Sequence, residues 1–365
     1  MDGQTLSDAL AQNRAERHHF ESLRYARLTE AVNGHPRGSV VLPGGEVIPG
    51  YPSIGRIHSL AAGLRQQFQE PFWAEEKIDG YNVRVVFHDG RAYAFSRGGF
   101  VCAFSTDRLQ DLLPHGIFER EPDLVLCAEI AGPDNPYLEG SPPFVTEDVQ
   151  LFVFDMMRKG RPGFLRQRDK MRLIEEMHLP GTRIFGRFLP TDVAALRDLI
   201  RQLDGEGAEG LVLKAEFGDT RSKYVTGHSN VVDIGVCSSQ LLDLPPEYFT
   251  NRLMRMAMFV HEHGQQEDPD LERSLGRAFL SGLERAVNGS RTRGRVDHRY
   301  RCRFREHRNA LHFIAHMAAT GGERVHILPD MPRKEGDYWV LEFERVFDRM
   351  TGTLATAFSG ATQFD

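Results

Sequence analysis

The chain has 365 residues, 41% of them hydrophobic and 26% charged, with a formal net charge of −6. One core seldom spans more than roughly 250–300 residues, so two or three domains are expected. The acidic balance excludes a protein that coats nucleic acid unselectively, but it leaves room for a local basic cleft.

In chain order, residues 1–49 read as an N-terminal extension, with a mixed helical stretch over Ala11–Val32 and a hairpin over Gly38–Pro49 around Pro43-Gly44-Gly45. Ile57–Phe68 reads as a helix. Phe72–Glu76 reads as an extended lead into Lys77. Asn82–Phe87 and Arg91–Arg97 read as strands joined at His88-Asp89-Gly90, a strong hairpin signal. Leu124–Ile130, Leu151–Asp155 and Gly210–Ala215 are short apolar runs bounded by turns, as buried strands are. Gln167–Met177 and Asp192–Leu203 carry helical patterns. Past Pro245-Pro246 two amphipathic helices are expected. One apolar face carries Phe249, Leu253, Met256, Ala257 and Val260; the other carries Leu271, Leu275, Phe279, Leu283 and Val287. From about Thr292 the pattern mixes strand and helix, ending with Tyr338–Phe347 and a helix near Thr351–Phe358. The fold class is α+β. A mainly antiparallel domain over 50–243 precedes a helical region over 244–291 and a small α+β domain over 292–365.

No apolar run is long enough to cross a bilayer, and Met1–Glu16 has no apolar leader core, so a cytoplasmic protein is expected. Cys102, Cys127, Cys237 and Cys302 are far apart and read as free thiols. His261-Glu262-His263 is no helical ligand pair, because residues two apart do not face each other. Eight arginines lie between Arg291 and Arg308, and Arg301-Cys302-Arg303-Phe304-Arg305 suits a strand with one cationic face. Such a face is either a solvated surface or a track for RNA phosphates, the latter through Arg301, Arg303 and Arg305.

Of 45 basic residues only six are lysine: Lys77, Lys159, Lys170, Lys214, Lys223 and Lys334. Arginine serves wherever a plain positive charge suffices, whereas a lysine amine can lose its proton when crowded or buried. Gly205-Glu206-Gly207-Ala208-Glu209-Gly210 has the spacing of a dinucleotide loop, but it follows a helix and precedes a strand, the reverse of what that loop needs. No P-loop string is present. Lys77-Ile78-Asp79-Gly80 alone is an ordinary turn. In series with Arg84, Ser96-Arg97-Gly98, Ala128-Glu129-Ile130, Phe152-Val153-Phe154-Asp155, Glu209-Gly210-Leu211-Val212-Leu213-Lys214 and Arg221-Ser222-Lys223-Tyr224, it supplies an amine nucleophile, several cations, acids and an aromatic ring.

The order and spacing of these segments resemble the covalent nucleotidyltransferases: DNA ligases, RNA ligases and mRNA-capping enzymes. The finer resemblance is to the homodimeric ATP-dependent RNA ligases typified in archaea, through Lys77–Arg84, Lys223-Tyr224-Val225-Thr226, Asp243–Glu247 and Trp339–Phe347. It covers about Gly38 to Asp365. Arg221 stands where many ligases have lysine. The resemblance implies that Lys77 carries AMP from ATP to an RNA 5′-phosphate, after which a 3′-hydroxyl displaces the AMP. Lys214 and Lys223 are the further catalytic cations. Glu75, Asp79, Arg84, Arg97, Glu129 and Phe154 form the nucleotide-binding set: Phe154 on adenine, Glu129 toward the ribose, Arg97 toward the ribose or the 5′-phosphate, Arg84 toward phosphate, Glu75 at the adenine border. Glu209 is expected to hold Mg²⁺ through water. Neighbouring cations are expected to lower the Lys77 pKa. The helical region is expected to form a homodimer. A DNA ligase or capping enzyme shares the first step but usually carries a C-terminal OB barrel, which the helical pattern over Pro246–Val287 does not suit. A non-catalytic RNA- or nucleotide-binding module is the remaining alternative.

Overall fold

In the computed structural model, which describes residues 1–321 and 324–361, four sheets and eleven helices alternate along the chain. The first sheet joins Ala15–Phe20, Leu23–Leu28, Val40–Val41 and Val47–Ile48 in sequence order. The second is antiparallel, in the order Gln150–Arg158, Leu124–Ala131, Tyr81–His88, Arg91–Ser96. The third runs Ile184–Phe188, Phe72–Lys77, Gly210–Ala215, Arg221–Val225, Gly55–Arg56, antiparallel except for the last pair. The fourth belongs to the C-terminal region, where Asp297–Phe304, Val325–Ile327 and Arg333–Glu335 all pair with Tyr338–Val346.

The placement of the second and third sheets determines where the chemistry can occur. Phe72–Lys77 lies in the third and Tyr81–His88 in the second, so the chain crosses between them at Ile78-Asp79-Gly80. Lys77 therefore stands at the mouth between two sheets. Gly80 permits the crossing, because a Cβ there would lie 2.8 Å from Glu129 Cβ. Each sheet has its own core. Leu60–Gln67 and Val193–Gly205 cover the third through Leu60, Leu64, Leu196 and Ile200. One face of the second packs with Ala103–Leu112 and with Phe304, Phe313 and Phe343 of the C-terminal region.

The other face of the second sheet is covered by the N-terminal residues. Leu23, Tyr25, Val40 and Ile48 pack on Val86, Phe95 and Val125. The helical expectation for Ala11–Val32 is wrong. A helix ends at Ala11, and a hairpin follows with a tight turn at Glu21, whose φ is +51°. Buried Leu23 and Tyr25 flank exposed Arg24, which is the period of a strand. The expected hairpin at Asp89-Gly90 forms, with φ of +47° and +76° at the two turn residues. The two expected helices form over Pro246–His263 and Pro269–Arg293. Their apolar faces meet a third helix, Gly227–Ser239, through Val231 and Ile234. That helix is buried on several sides and shows no clean stripe, so the sequence pattern did not reveal it. All four cysteines are free and buried. Among the described residues, no helix is long and apolar enough to cross a membrane.

Candidate active site

Lys77 ends its strand with its Nζ donating to Glu209 Oε2 at 2.5 Å. Glu209 is placed by its neighbour Gly210, whose φ of +147° and whose approach to the Tyr224 carbonyl leave no room for a Cβ. Burial disfavours the Lys77 ammonium. The Glu209 carboxylate, aided by Glu129 and Asp79, outweighs this and raises the pKa above the usual lysine value. The expectation of a lowered pKa is therefore corrected: without ATP, the amine faces carboxylates, and they hold its proton.

Beside Lys77 lies a pocket of about 130 Å³, lined by residues that include Tyr51, Asn82, Arg97, Glu129, Phe154 and Lys223. Phe154 points into it because the pairing of its strand slips between Val153 and Asp155, a bulge that re-aims the side chain. Tyr51 braces the Phe154 ring edge-on at 5.2 Å. Glu129 Oε1 accepts from Asn82 at 3.3 Å, and among the described residues Oε2 has no partner. Burial first raises the Glu129 pKa, to about 8, which suits a carboxyl that waits for a hydroxyl. Arg97 is exposed at the rim and donates to the Pro52 carbonyl at 3.0 Å. Lys223 is pushed down to about 8 by burial, then by the charges of Arg56 and Lys77. Asp79 lines a second pocket of about 110 Å³ on the other side of Lys77, with Glu209, His228 and Asp233. Its carboxyl is raised to about 7, by burial and then by Glu209.

Three expected site residues do other work. The Glu75 side chain is 1% exposed, and both its oxygens are occupied: Gln167 and Lys170 donate to Oε1, Thr182 at 2.9 Å and Lys214 at 2.8 Å to Oε2. It lies beneath the pocket instead of bordering adenine. Lys214 joins it there and also donates to the Phe154 carbonyl, so it supports the aromatic floor and does not reach phosphate. Arg84 is 0% exposed and donates to the carbonyls of Pro49, Gly38 and Ser96 at 2.7–2.8 Å. It holds the Ser96-Arg97 loop against the N-terminal sheet and cannot meet phosphate. Arg221 is paired with Asp155 at 3.3 Å, which Tyr51 also contacts at 3.1 Å. The site residues missed from sequence were Tyr51, Asn82 and Lys170. Tyr51 and Lys170 fall in no motif; Asn82 lies inside the Lys77–Arg84 segment and faces Glu129 in register, so it alone had a signal.

The cationic strand Asp297–Phe304 forms as expected, but its arginines are paired. Arg301 and Arg303 both grip Asp134, at 2.9 and 2.7 Å, and Arg305 grips Asp111 at 2.8 Å. These bonds tie the C-terminal strand to the catalytic region, so Arg301, Arg303 and Arg305, the residues expected to meet RNA phosphates, have acids as their partners in this structure.

Comparisons with known proteins identify the family. Residues 70–225 match the family model described as RNA ligase, and residues 236–361 match the model described as Ligase Pab1020 C-terminal region. A structure from Aquifex aeolicus, provisionally named an ATP-dependent DNA ligase, is 42% identical over 100% of both chains, with a TM-score of 0.93. The chain belongs to the archaeal-type ATP-dependent RNA ligase family. Within the nucleotidyltransferase superfamily, this ligase is also similar to a structure described as an archaeal ATP-dependent RNA ligase, 25% identical over 100% of this chain and 97% of that one, with a TM-score of 0.87. A Methanocaldococcus jannaschii protein of uncharacterized function is 25% identical over 78% of this ligase and 74% of its own length.

Proposed function

We propose that this ligase joins RNA 5′-phosphate and 3′-hydroxyl ends, with Lys77 as the residue that carries AMP. The observation that carries this reading is the Lys77 amine, at 2.5 Å from Glu209, beside a pocket lined by Phe154, Glu129, Arg97 and Lys223. In the first step the Lys77 ammonium gives a proton to water, Nζ forms a bond to the α-phosphorus of ATP, and the nitrogen releases a second proton to water as the phosphoramidate forms. The bond from that phosphorus to the β-bridging oxygen breaks, and pyrophosphate leaves with the electron pair. An oxygen of the RNA 5′-phosphate then bonds to the AMP phosphorus, the P–N bond breaks, and the lysine leaves after taking a proton from water. The RNA 3′-hydroxyl attacks that phosphate and AMP leaves. Phe154 supplies a stacking face, Glu129 and Arg97 hold the ribose, and Lys223 neutralises phosphate charge. Catalysis of this kind rests on alignment and charge neutralisation.

Asp79, Glu129 and Glu209 surround one ammonium, so a hard cation arriving there would meet acidic oxygens and would favour the ionised form of Asp79 and Glu129, whose pKa values burial raises. Mg²⁺ bound there, with Glu209 holding it through water, would neutralise phosphate charge. Among the described residues no cluster of three ligands forms a dedicated metal cage. That is the pattern expected when phosphate oxygens supply most ligands.

Sealing of 5′-phosphorylated RNA and DNA strands, compared side by side, tests the acceptor. The similarity to the provisionally named DNA ligase favours the second reading, that DNA ends are joined. Preference for RNA by tenfold or more supports our proposal, and preference for DNA replaces it. We also propose a homodimer through Pro246–Arg293, where Met254 and Leu280 are 65% and 57% exposed. Sedimentation at the monomer mass at micromolar concentration would remove it.

A further inference from the structure

The third sheet carries a row of residues in register: Glu75, Val212, Lys223 and Arg56, one from each of four neighbouring strands. Residues paired in register share a face, and neighbouring strands lie about 4.8 Å apart. Lys223 and Arg56 are thus adjacent cations on the face that carries Lys77, two residues along from Glu75. Among the described residues neither is paired with a carboxylate. This is unusual in a chain whose other basic clusters, such as Arg301-Cys302-Arg303, are bound to acids. Arg56 Nη1 is buried and, among the described residues, has no hydrogen-bond partner; the same holds for Arg255 Nε. Arg255 comes from the helix Pro246–His263, and the two guanidiniums flank one small cavity of about 10 Å³ with His58 and Asn230, room for no more than a water, so a phosphate would meet them at its mouth and not inside it. The other Arg255 nitrogen, Nη2, reaches Asp233 at 3.2 Å, a carboxylate it shares with Arg252. Burial, and then the Arg255 charge, lowers the Arg56 pKa to about 10. Arg56 and Lys223, adjacent like charges with no carboxylate of their own among the described residues, are costly in a fold, and an anionic ligand would remove that cost.

We infer that Arg56 and Arg255, next to Lys223, seat the β- and γ-phosphates of ATP and hence the departing pyrophosphate. The inference rests on Lys77 as the AMP carrier. Lys223 lines the nucleotide pocket and Arg56 lies one strand further out, so a polyphosphate chain extending from the α-phosphate past Lys223 arrives at Arg56. Arg255 brings the helical region to the same anion. A guanidinium pair suits this ligand because each fork can grip two phosphate oxygens.

The test uses the reverse of the first step. Full-length enzyme is loaded with labelled AMP, and inorganic pyrophosphate is titrated while ATP release is followed. Arg56→Gln and Arg255→Gln should each raise the half-saturating pyrophosphate concentration by tenfold or more, and the KM for ATP in parallel. Arg56→Lys should recover part of the loss. The loss on pre-adenylated RNA ends, which lack β- and γ-phosphates, should be at least tenfold smaller. Should Arg56→Gln fail to fold, Arg56→Lys and Arg255→Gln carry the comparison. Wild-type half-saturation in the folded variants would overturn the inference, and so would weakened RNA binding with unchanged pyrophosphate affinity. Wild-type enzyme that holds no AMP would overturn the Lys77 reading itself, and this one with it.

Discussion

Two cationic surfaces of this ligase differ in their partners. Along Asp297–Phe304, Arg301 and Arg303 share Asp134, and Arg305 meets Asp111 while its guanidinium lies over Tyr338 at 4.2 Å. Along Gly55–Arg56 and Arg221–Val225, Arg56 and Lys223 stand side by side with no such acids among the described residues. The first surface has more charge and holds the fold together. The second has less charge, and that charge is free for a ligand. Density of basic residues is thus a poor guide to anion binding; what matters is whether acids from distant parts of the chain have already neutralised them.

Replacing the nucleophile breaks this comparison most severely. Lys77→Ala should abolish labelling of the protein by α-labelled ATP and sealing of 5′-phosphorylated RNA. Lys77→Arg should fail likewise, because a guanidinium does not deprotonate in proteins. Lys77→Ala should still join RNA that already bears a 5′-adenylate. A labelled adduct at wild-type level on Lys77→Ala would mean that another residue is the nucleophile.

Next in size is the buried charge cluster under the pocket. Glu75 holds Lys170 and Lys214, and all three side chains are 1% exposed. Glu75→Gln leaves two buried ammonium groups with less counter-charge, a loss worth about 3–5 kcal/mol of stability when one partner of a buried pair is removed. Urea unfolding measures it. A loss under about 1 kcal/mol would show that the cluster is not holding the floor beneath Phe154.

Most of the catalytic framework was legible because it is local. Strand, turn and hairpin signals around Lys77–Arg97 depend on nearest neighbours, and the segments form where the pattern put them. What was not legible depends on distant partners. Nothing near Arg84 in sequence says that it will donate to the carbonyls of Pro49 and Gly38. Lys214 sits in a site motif, yet it is claimed by Glu75, 139 residues away. Lys170 lies outside every motif and shares that carboxylate. The helix Gly227–Ser239 was missed for a related reason: burial on several faces erases the periodicity that marks a half-exposed helix.

Lys223 tests the free surface directly. Lys223→Ala should slow adenylylation by on the order of 10²–10³, the loss typical of one donor to developing charge. Single-turnover labelling reports it, and a loss below about threefold would remove Lys223 from the phosphate path. An effect with a comparable ceiling over the full range comes from pH. Because Glu209 holds the Lys77 amine in its charged form and raises its pKa, the reactive neutral fraction grows as pH rises. Adenylylation should therefore climb between pH 6 and 9, by at most about tenfold per unit. A rate that falls over this range would contradict the Lys77–Glu209 pairing as the resting state.

The smallest expected effects belong to the paired surface, and they sharpen the contrast from its other side. Arg301 and Arg303 are 36% and 26% exposed in their side chains, and each backs up the other on Asp134. A single glutamine replacement leaves Asp134 one guanidinium, so each should cost at most about 1 kcal/mol, as partly exposed pairs do. The double replacement strips a carboxylate whose side chain is 11% exposed of both partners, so its cost should exceed the sum of the two. RNA affinity and its salt dependence should barely change, since these charges are already neutralised. If instead the slope of log affinity against log salt drops by about one for each arginine removed, the guanidiniums are on phosphate when RNA is bound. The C-terminal strand would then have to release Asp134 as RNA binds.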